Sequence, residues 1–222
     1  MRRTPQREAA MNNRSKSALD WDARYRAAEA SPFGDAPNEY LREFCERPDF
    51  SVKTALCMAD GDGRNGTWLA QRGLQVTAVD HSVEATRLAL LRDEGAGVTV
   101  ERMTADLAVW QPESGRTWDL VCILYLHGAA ALRERAVRTA YAALAPGGWL
   151  VLEGFSKAQA ERPGMGPDDP GKLYDLDEIR GWIPQARPVA AWRGCILLDE
   201  GRRPAGKAEV DRLSACRPSM PG

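Results

Sequence analysis

No stretch of this 222-residue chain approaches the roughly 20 consecutive apolar residues of a membrane-spanning helix, so a membrane-embedded protein is set aside. Net charge is nearly absent as well. The 30 basic and 31 acidic side chains leave a formal charge of −1, without the basic excess of a duplex nucleic-acid surface, so nucleic acid is an unlikely partner. Histidine is scarce, with two residues, His81 and His127, and the five cysteines (Cys45, Cys57, Cys122, Cys195 and Cys216) contain no C-x-x-C pair. These scarcities exclude a zinc site and a disulfide framework, and predict reduced, buried cysteines in a cytoplasmic protein. Apolar content is also missing from residues 1–17, where Arg2, Arg3, Arg7, Arg14 and Lys16 stand against Glu8 alone. This composition predicts a disordered basic tail, with neither a signal peptide nor an anchor. Residues 18–218 remain as one domain, and 44% hydrophobic content suffices for its core.

What is present is concentrated between Thr54 and Asp80. An apolar run, Thr54-Ala55-Leu56-Cys57-Met58, breaks into Ala59-Asp60-Gly61-Asp62-Gly63-Arg64-Asn65-Gly66. The pattern predicts a strand that ends in a glycine loop and opens a helix carrying Trp68, Leu69 and Ala70, stopped by Gly73. A second strand, Val76-Thr77-Ala78-Val79, is closed by Asp80. Glycines allow close approach of a ligand, a helix N-terminus offers N–H groups, and a carboxylate about 20 residues on suits ribose hydroxyls. Gly61, Gly63 and Gly66 satisfy the dinucleotide fingerprint G-x-G-x-x-G, so the loop alone leaves the choice of adenosine-containing cofactor open.

The chain then alternates helix and strand. Val83 to Arg92 reads as a helix, Gly97 to Glu101 as a short strand, and Trp118 to Leu124 as a buried parallel strand. Leu132, Ala136, Ala140 and Leu144 make a helical stripe over 129–144, which Pro146-Gly147-Gly148 breaks before the strand Trp149 to Glu153. A proline-rich passage from Glu161 to Gly171 leads to a short helix near Asp177 to Trp182. Two extended segments, Val189 to Leu198 and Lys207 to Cys216, are joined by a link too short for a helix. The expected fold is α/β, a single doubly wound Rossmann-like domain with a mostly parallel sheet and an antiparallel C-terminal hairpin.

Several further motifs carry a resemblance. They are Trp21-Asp22-Ala23-Arg24-Tyr25, Phe33-Gly34 with Pro37-Asn38, and Gly61-Asp62-Gly63-Arg64-Asn65. To these add Val76 to Asp80, Ala105-Asp106-Leu107, Trp118 to Val121, Leu144 to Gly148 and Gly164-Met165-Gly166-Pro167. In this order and spacing the chain resembles the class I S-adenosylmethionine-dependent methyltransferases, whose sheet has seven strands with the last antiparallel. Within them it is similar to the small-molecule methyltransferases related to the tellurite-resistance and thiopurine enzymes.

The resemblance implies S-adenosyl-L-methionine as cofactor and a small-molecule methyl acceptor: a thiol, a metalloid oxyanion or a small heterocycle. The cofactor contacts it implies are Trp21, Arg24, Tyr25, Ala59, Asp60, Gly61, Gly63, Arg64, Asn65, Asp80, His81, Asp106, Leu107 and Leu124. Gly61 and Gly63 are expected to face the methionine end, Asp80 the ribose, and Asp106 with Leu107 the adenine. Trp21, Arg24 and Tyr25 share one helical turn. By similarity they form a lid in which Tyr25 or Trp21 faces the sulfonium and Arg24 pairs with the cofactor carboxylate. His127, after the buried strand, is the candidate acceptor contact or base, with Tyr25 the second catalytic candidate. His81 is expected to line the ribose side or cap the next helix.

The chain departs from the family pattern at Cys57 and Ala59, where many relatives carry an acid and a glycine. Ala59 is expected to resist a positive φ. Pro204 stands where relatives often have a histidine. Rival motifs fail on chemistry. Gly201 to Lys207 mimics a phosphate loop but lacks the Ser or Thr for magnesium. Ser156 is one glycine short of a nucleophile elbow. An NAD(P)-dependent oxidoreductase is the alternative enzyme class, yet none of Tyr25, Tyr40, Tyr125, Tyr141 or Tyr174 has a lysine four residues later. A non-catalytic cofactor-binding protein is the reading outside the enzymes.

Overall fold

The computed structural model describes residues 16–28, 31, 33–162, 164–199 and 205–219. Most of the expected basic tail therefore lies outside the described residues, and the first helix, α1, spans Lys16–Ala27. The order continues with α2 (Glu39–Cys45), β1 (Thr54–Met58), α3 (Arg64–Gln71), β2 (Gln75–Asp80), α4 (Val83–Ala96) and β3 (Glu101–Thr104). It closes with β4 (Trp118–Leu124), α5 (Ala130–Ala142), β5 (Leu144–Phe155), α6 (Leu176–Trp182), β6 (Arg187–Asp199) and β7 (Ala205–Cys216). Seven strands form one sheet in the order β3-β2-β1-β4-β5-β7-β6, parallel from β3 to β5, with β7 antiparallel to both of its neighbours. The expected α/β sheet with its C-terminal hairpin is thus the observed one.

Alternation along the central strands feeds two cores. Leu56, Met58, Val121, Ile123, Leu150 and Leu152 pack with α5 and α6 on one face. Ala55, Cys57, Leu120, Cys122 and Val151 pack with Leu41 and Phe44 of α2 and Leu69 of α3 on the other. Cys57 and Cys122 are direct neighbours in the β1–β4 register. Four of the five cysteines are buried as expected, whereas Cys195 is exposed on edge strand β6.

Element boundaries moved in two places. Gly97 does not open a strand; it takes a left-handed φ of 66° that caps α4, whose apolar pattern runs on to Ala96, and β3 begins only at Glu101. The helix expected over 129–144 stops at Ala142, and Pro146-Gly147-Gly148 lies within an irregular start of β5, where the pairing with β4 slips between Trp118 and Leu120. The strand order reverses between β1 and β4, and the ends of these two strands define the crevice where open α/β sheets bind ligands.

Candidate active site

The glycine loop lies at that reversal. Ala59 follows β1 with φ 58°, so a non-glycine residue holds the left-handed conformation that the sequence argued against. Its N–H donates to Val79 O at 2.8 Å, which fixes the turn against β2 at a conformational cost of about 1–2 kcal/mol. Asp60 turns inward. Its Oδ1 accepts from the Gly66 N–H (3.1 Å) and its Oδ2 from Arg102 Nη1 of β3 (2.9 Å). Arg102 also donates to Asp93 of α4 through Nε (2.6 Å) and to Thr67 Oγ1 (3.1 Å). The charged side chains of this cluster are at most 6% exposed. Burial pushes the Asp60 carboxyl up to about 6, against the pull of the Arg102 guanidinium.

This cluster explains two of the three fingerprint glycines. A Cβ on Gly63 would sit 2.6 Å from Arg102 Nη2 and 2.8 Å from Ala89 Cβ, and one on Gly66 would sit 2.5 Å from Asp60 Oδ2. Gly63 and Gly66 therefore make room for a buried ion cluster on their Cα side. Gly61 is different: a Cβ there would meet the Tyr25 hydroxyl of α1 at 2.5 Å. Arg64 and Asn65 also serve the protein itself. Arg64 donates to Phe33 O and Ala36 O, and Asn65 Oδ1 accepts from the Asn38 N–H at 2.8 Å, so together they hold the 33–38 stretch against the start of α3. Asn38 in turn donates to the buried Glu153 of β5 at 2.6 Å.

Asp80 ends β2 as expected. Its Oδ2 accepts from the Gly61 N–H (2.9 Å) and its Oδ1 from the Ser82 N–H (2.8 Å), while burial raises its pKa. A carboxylate offers about four acceptor positions, so these two bonds and a third from the His81 backbone aim the group while leaving acceptor capacity for a ligand hydroxyl. Ser82, whose Oγ accepts from the Ala85 N–H at 3.0 Å, caps α4; His81 does not. Asp106 ends its turn by accepting from the Ala108 N–H at 2.9 Å, and Leu107 beside it is buried. Leu124 is buried at the end of β4. A small cavity lies between Gly61, Asp80, Thr86 and Met103. A larger cavity, about 760 Å³, opens at the opposite end of the sheet beside the 111–117 loop and α5, and includes none of these residues.

Helix α1 covers the loop, and its anchor is a residue to which sequence reasoning gave no role. Asp22, 1% exposed, accepts from Ser82 Oγ (2.6 Å) and from the Glu84 N–H (3.2 Å), which sets a carboxylate on the N-terminus of α4. Tyr25 is 5% exposed; desolvation, then the nearby Asp80, Asp62 and Asp60, raise its pKa well above the ordinary tyrosine value. The phenol stays protonated at neutral pH and is no base. Trp21 packs against Tyr25 (centroids 5.9 Å apart) and Phe33 (6.2 Å). Arg24 is exposed and lies 4.9 Å over the Trp21 ring.

At the ends of β4 and β5 the chemistry changes. Tyr125 takes φ 58°, and its ring meets Phe155 at 4.9 Å. His127 stacks on Phe155 (5.3 Å, 22°) and meets the edge of Tyr174 (5.6 Å). Its Nδ1 lies 3.1 Å from Lys172 O, and its Nε2 faces the Phe155 N–H at 3.4 Å. A carbonyl only accepts, so the proton sits on Nδ1 and the Nε2 lone pair receives the Phe155 N–H. Removal from water lowers the His127 pKa to about 4. Both ring nitrogens of His127 thus face backbone groups, an arrangement that does not favour the base role expected of it.

The glycine loop, Asp80 and the docked α1 thus lie at the strand ends of a Rossmann-like fold, beside a cluster of packed aromatic rings. Residues 55–148 match the family model described as a methyltransferase domain. The fold is shared with solved structures at low identity. N-methyltransferase NodS from Bradyrhizobium japonicum WM9, in complex with S-adenosyl-L-homocysteine, is 15% identical with a TM-score of 0.69, covering 92% of this chain and 100% of that one. A protein solved in work on the conversion of a disulfide bond into a thioacetal group during echinomycin biosynthesis is 18% identical with a TM-score of 0.70, covering 93% and 94%. TehB from Haemophilus influenzae is 13% identical with a TM-score of 0.62, covering 80% and 61%. No curated protein matches the chain in sequence.

Proposed function

We propose that this protein is an S-adenosyl-L-methionine-dependent methyltransferase acting on a small-molecule acceptor. The observation that carries the reading is Asp80, aimed by Gly61 and Ser82, facing a glycine that is covered by a buried tyrosine on a docked lid helix. The residues fit that cofactor. Asp80 has acceptor capacity for a ribose hydroxyl, Asp106 keeps a second carboxylate oxygen for an exocyclic amine, and Trp21 and Tyr25 present ring faces to a sulfonium. Cys57 lies on the α2 side of the sheet against Cys122, so the ammonium contact that an acid supplies in many relatives falls here to loop carbonyls or Asp62.

The cofactor supplies an electrophilic methyl that passes to an acceptor lone pair with release of S-adenosylhomocysteine. The chain's own part is to hold the two partners collinear and dry, for which effective-molarity arguments allow about 7–11 kcal/mol. Neither His127 nor Tyr25 takes a proton at neutral pH. The acceptor therefore arrives already nucleophilic, as an ionised thiol, a metalloid oxyanion or an sp² heterocyclic nitrogen, and the rings of Tyr125 and Phe155 suit a soft or planar partner. This supports an acceptor range like that of the tellurite-resistance and thiopurine enzymes. No helix among the described residues is long and apolar enough to cross a membrane.

Calorimetry with S-adenosylmethionine, S-adenosylhomocysteine and NADH tests the reading. Micromolar binding of the first two is expected, weakened at least tenfold in Asp80→Ala through loss of charged hydrogen bonds of about 1.5–3 kcal/mol. A folded protein that binds neither, or binds NADH more tightly, overturns it.

A further inference from the structure

The connection between β4 and α5 is tied repeatedly to one short stretch of chain. Tyr174 Oη donates to Leu126 O at 2.6 Å, His127 Nδ1 meets Lys172 O at 3.1 Å, and Arg133 Nη1 donates to both Gly128 O (2.5 Å) and Gly171 O (2.7 Å). Arg133 is 1% exposed, and its guanidinium lies 5.4 Å over the Tyr174 ring and 3.8 Å from Glu178. Removing a guanidinium from water is costly, so its burial must be offset by the partners it joins. What an apolar residue cannot do is join carbonyls from two separate loops.

The other end of the same stretch is held too. Gln159 Nε2 donates to Met165 O at 3.3 Å, and its Oε1 accepts from the Glu209 N–H of β7 at 2.7 Å. Gly166 lies against Phe155, where a Cβ would meet the ring at 2.7 Å. Residues 164–172 thus form a cover secured at both ends. Met165 on this cover packs, like Tyr125, against the apolar cluster around Phe155, at the strand ends beside the glycine loop.

We propose that Arg133 is a positioning residue: with His127 it seats the 164–172 cover over the aromatic cluster around Phe155 and sets acceptor binding there without contributing to cofactor binding. The proposal rests on the methyltransferase reading of the site. Its geometry explains why Nδ1 of His127 is committed to backbone: the imidazole and the guanidinium grip adjacent carbonyls of the cover, Lys172 and Gly171.

The test compares the full chain with Arg133→Met and, should that variant fold poorly, Tyr174→Phe, which removes only the tie to Leu126. Hydrogen exchange is followed in peptides spanning 164–174 and 54–80, alongside S-adenosylhomocysteine calorimetry and initial rates with thiophenol at saturating S-adenosylmethionine. Exchange in 164–174 is expected to rise at least tenfold in Arg133→Met with 54–80 unchanged. The S-adenosylhomocysteine Kd should stay within twofold, and KM for thiophenol should rise at least tenfold with kcat within twofold. Unchanged exchange in 164–174, an unchanged KM, or a parallel loss of cofactor affinity overturns the proposal. Absence of S-adenosylhomocysteine binding in the unaltered protein instead overturns the methyltransferase reading. Where thiophenol is not turned over, the exchange result alone decides the clamp.

Discussion

The two sides of the crevice are held by different balances of interaction. On the glycine-loop side, Arg102 joins Asp60 and Asp93 across β3, the loop and α4, and the backbone takes its shape from buried ion pairs. On the other side aromatic contacts predominate: Tyr125, His127, Phe155 and Tyr174 meet ring to ring, and Arg133 and His127 hold carbonyls, with Glu178 3.8 Å from the Arg133 guanidinium. A cofactor common to a whole chemistry suits a rigid, electrostatically fixed cradle. Under the proposed function, an acceptor that arrives already nucleophilic suits an aromatic wall that takes no proton from it.

The sharpest way to break this contrast is to remove the two arginines separately. Arg102→Met leaves Asp60 and Asp93 buried without their cation and is expected to cost about 3–5 kcal/mol in urea unfolding. Arg133→Met leaves carbonyls without a donor, an expected cost of about 1–3 kcal/mol. Equal losses would show that the two sides are not built differently.

A smaller effect probes the aromatic side. The His127 pKa is near 6.5 in an unfolded chain and about 4 in the fold, so between these values the unfolded state binds more protons. The stability is complete above pH 6.5 and is lost as pH falls toward 4. His127→Gln should flatten that acid loss by on the order of 2 kcal/mol while leaving the rate profile between pH 6.5 and 9 unchanged; a step in that profile assignable to His127 would restore it as a base. The smallest effect concerns the loop turn. Ala59→Gly relieves a left-handed alanine but adds backbone freedom to the unfolded chain, so a gain of at most about 1 kcal/mol in urea unfolding is expected.

Much of this molecule was readable in its sequence because the relevant signals are local. Apolar runs bounded by glycine and aspartate marked β1, β2 and β4, and the short link after Asp199 marked the hairpin. Asp80 fell at a strand end for the same reason. Apart from the local misreadings at Ala59, Gly97 and the end of α5, the failures are long-range. Arg102 sits in Glu101-Arg102-Met103-Thr104, which reads as a polar, exposed segment, and only the packing of β3 beside α4 brings it to Asp60 and Asp93. Gly63 and Gly66 fit a ligand fingerprint, yet their neighbours are Arg102 and Asp60, distant in sequence. Asp22 reads as one more acid in an amphipathic turn until α1 docks on Ser82. His127 had the right address for a base, but the carbonyl of Lys172, 45 residues on, decides its lone pairs.

The position of Arg102 also sets a limit on the cradle. β3 is four residues long and forms one margin of the sheet, paired with β2 alone. Marginal strands open before central ones, in excursions far smaller than global unfolding. Each such fraying event carries Arg102 away from Asp60, so the order of the cofactor loop has the lifetime of the outermost ladder rather than that of the core. Mild heating or denaturant should accordingly blunt cofactor affinity while β1, β4 and β5 remain fully paired.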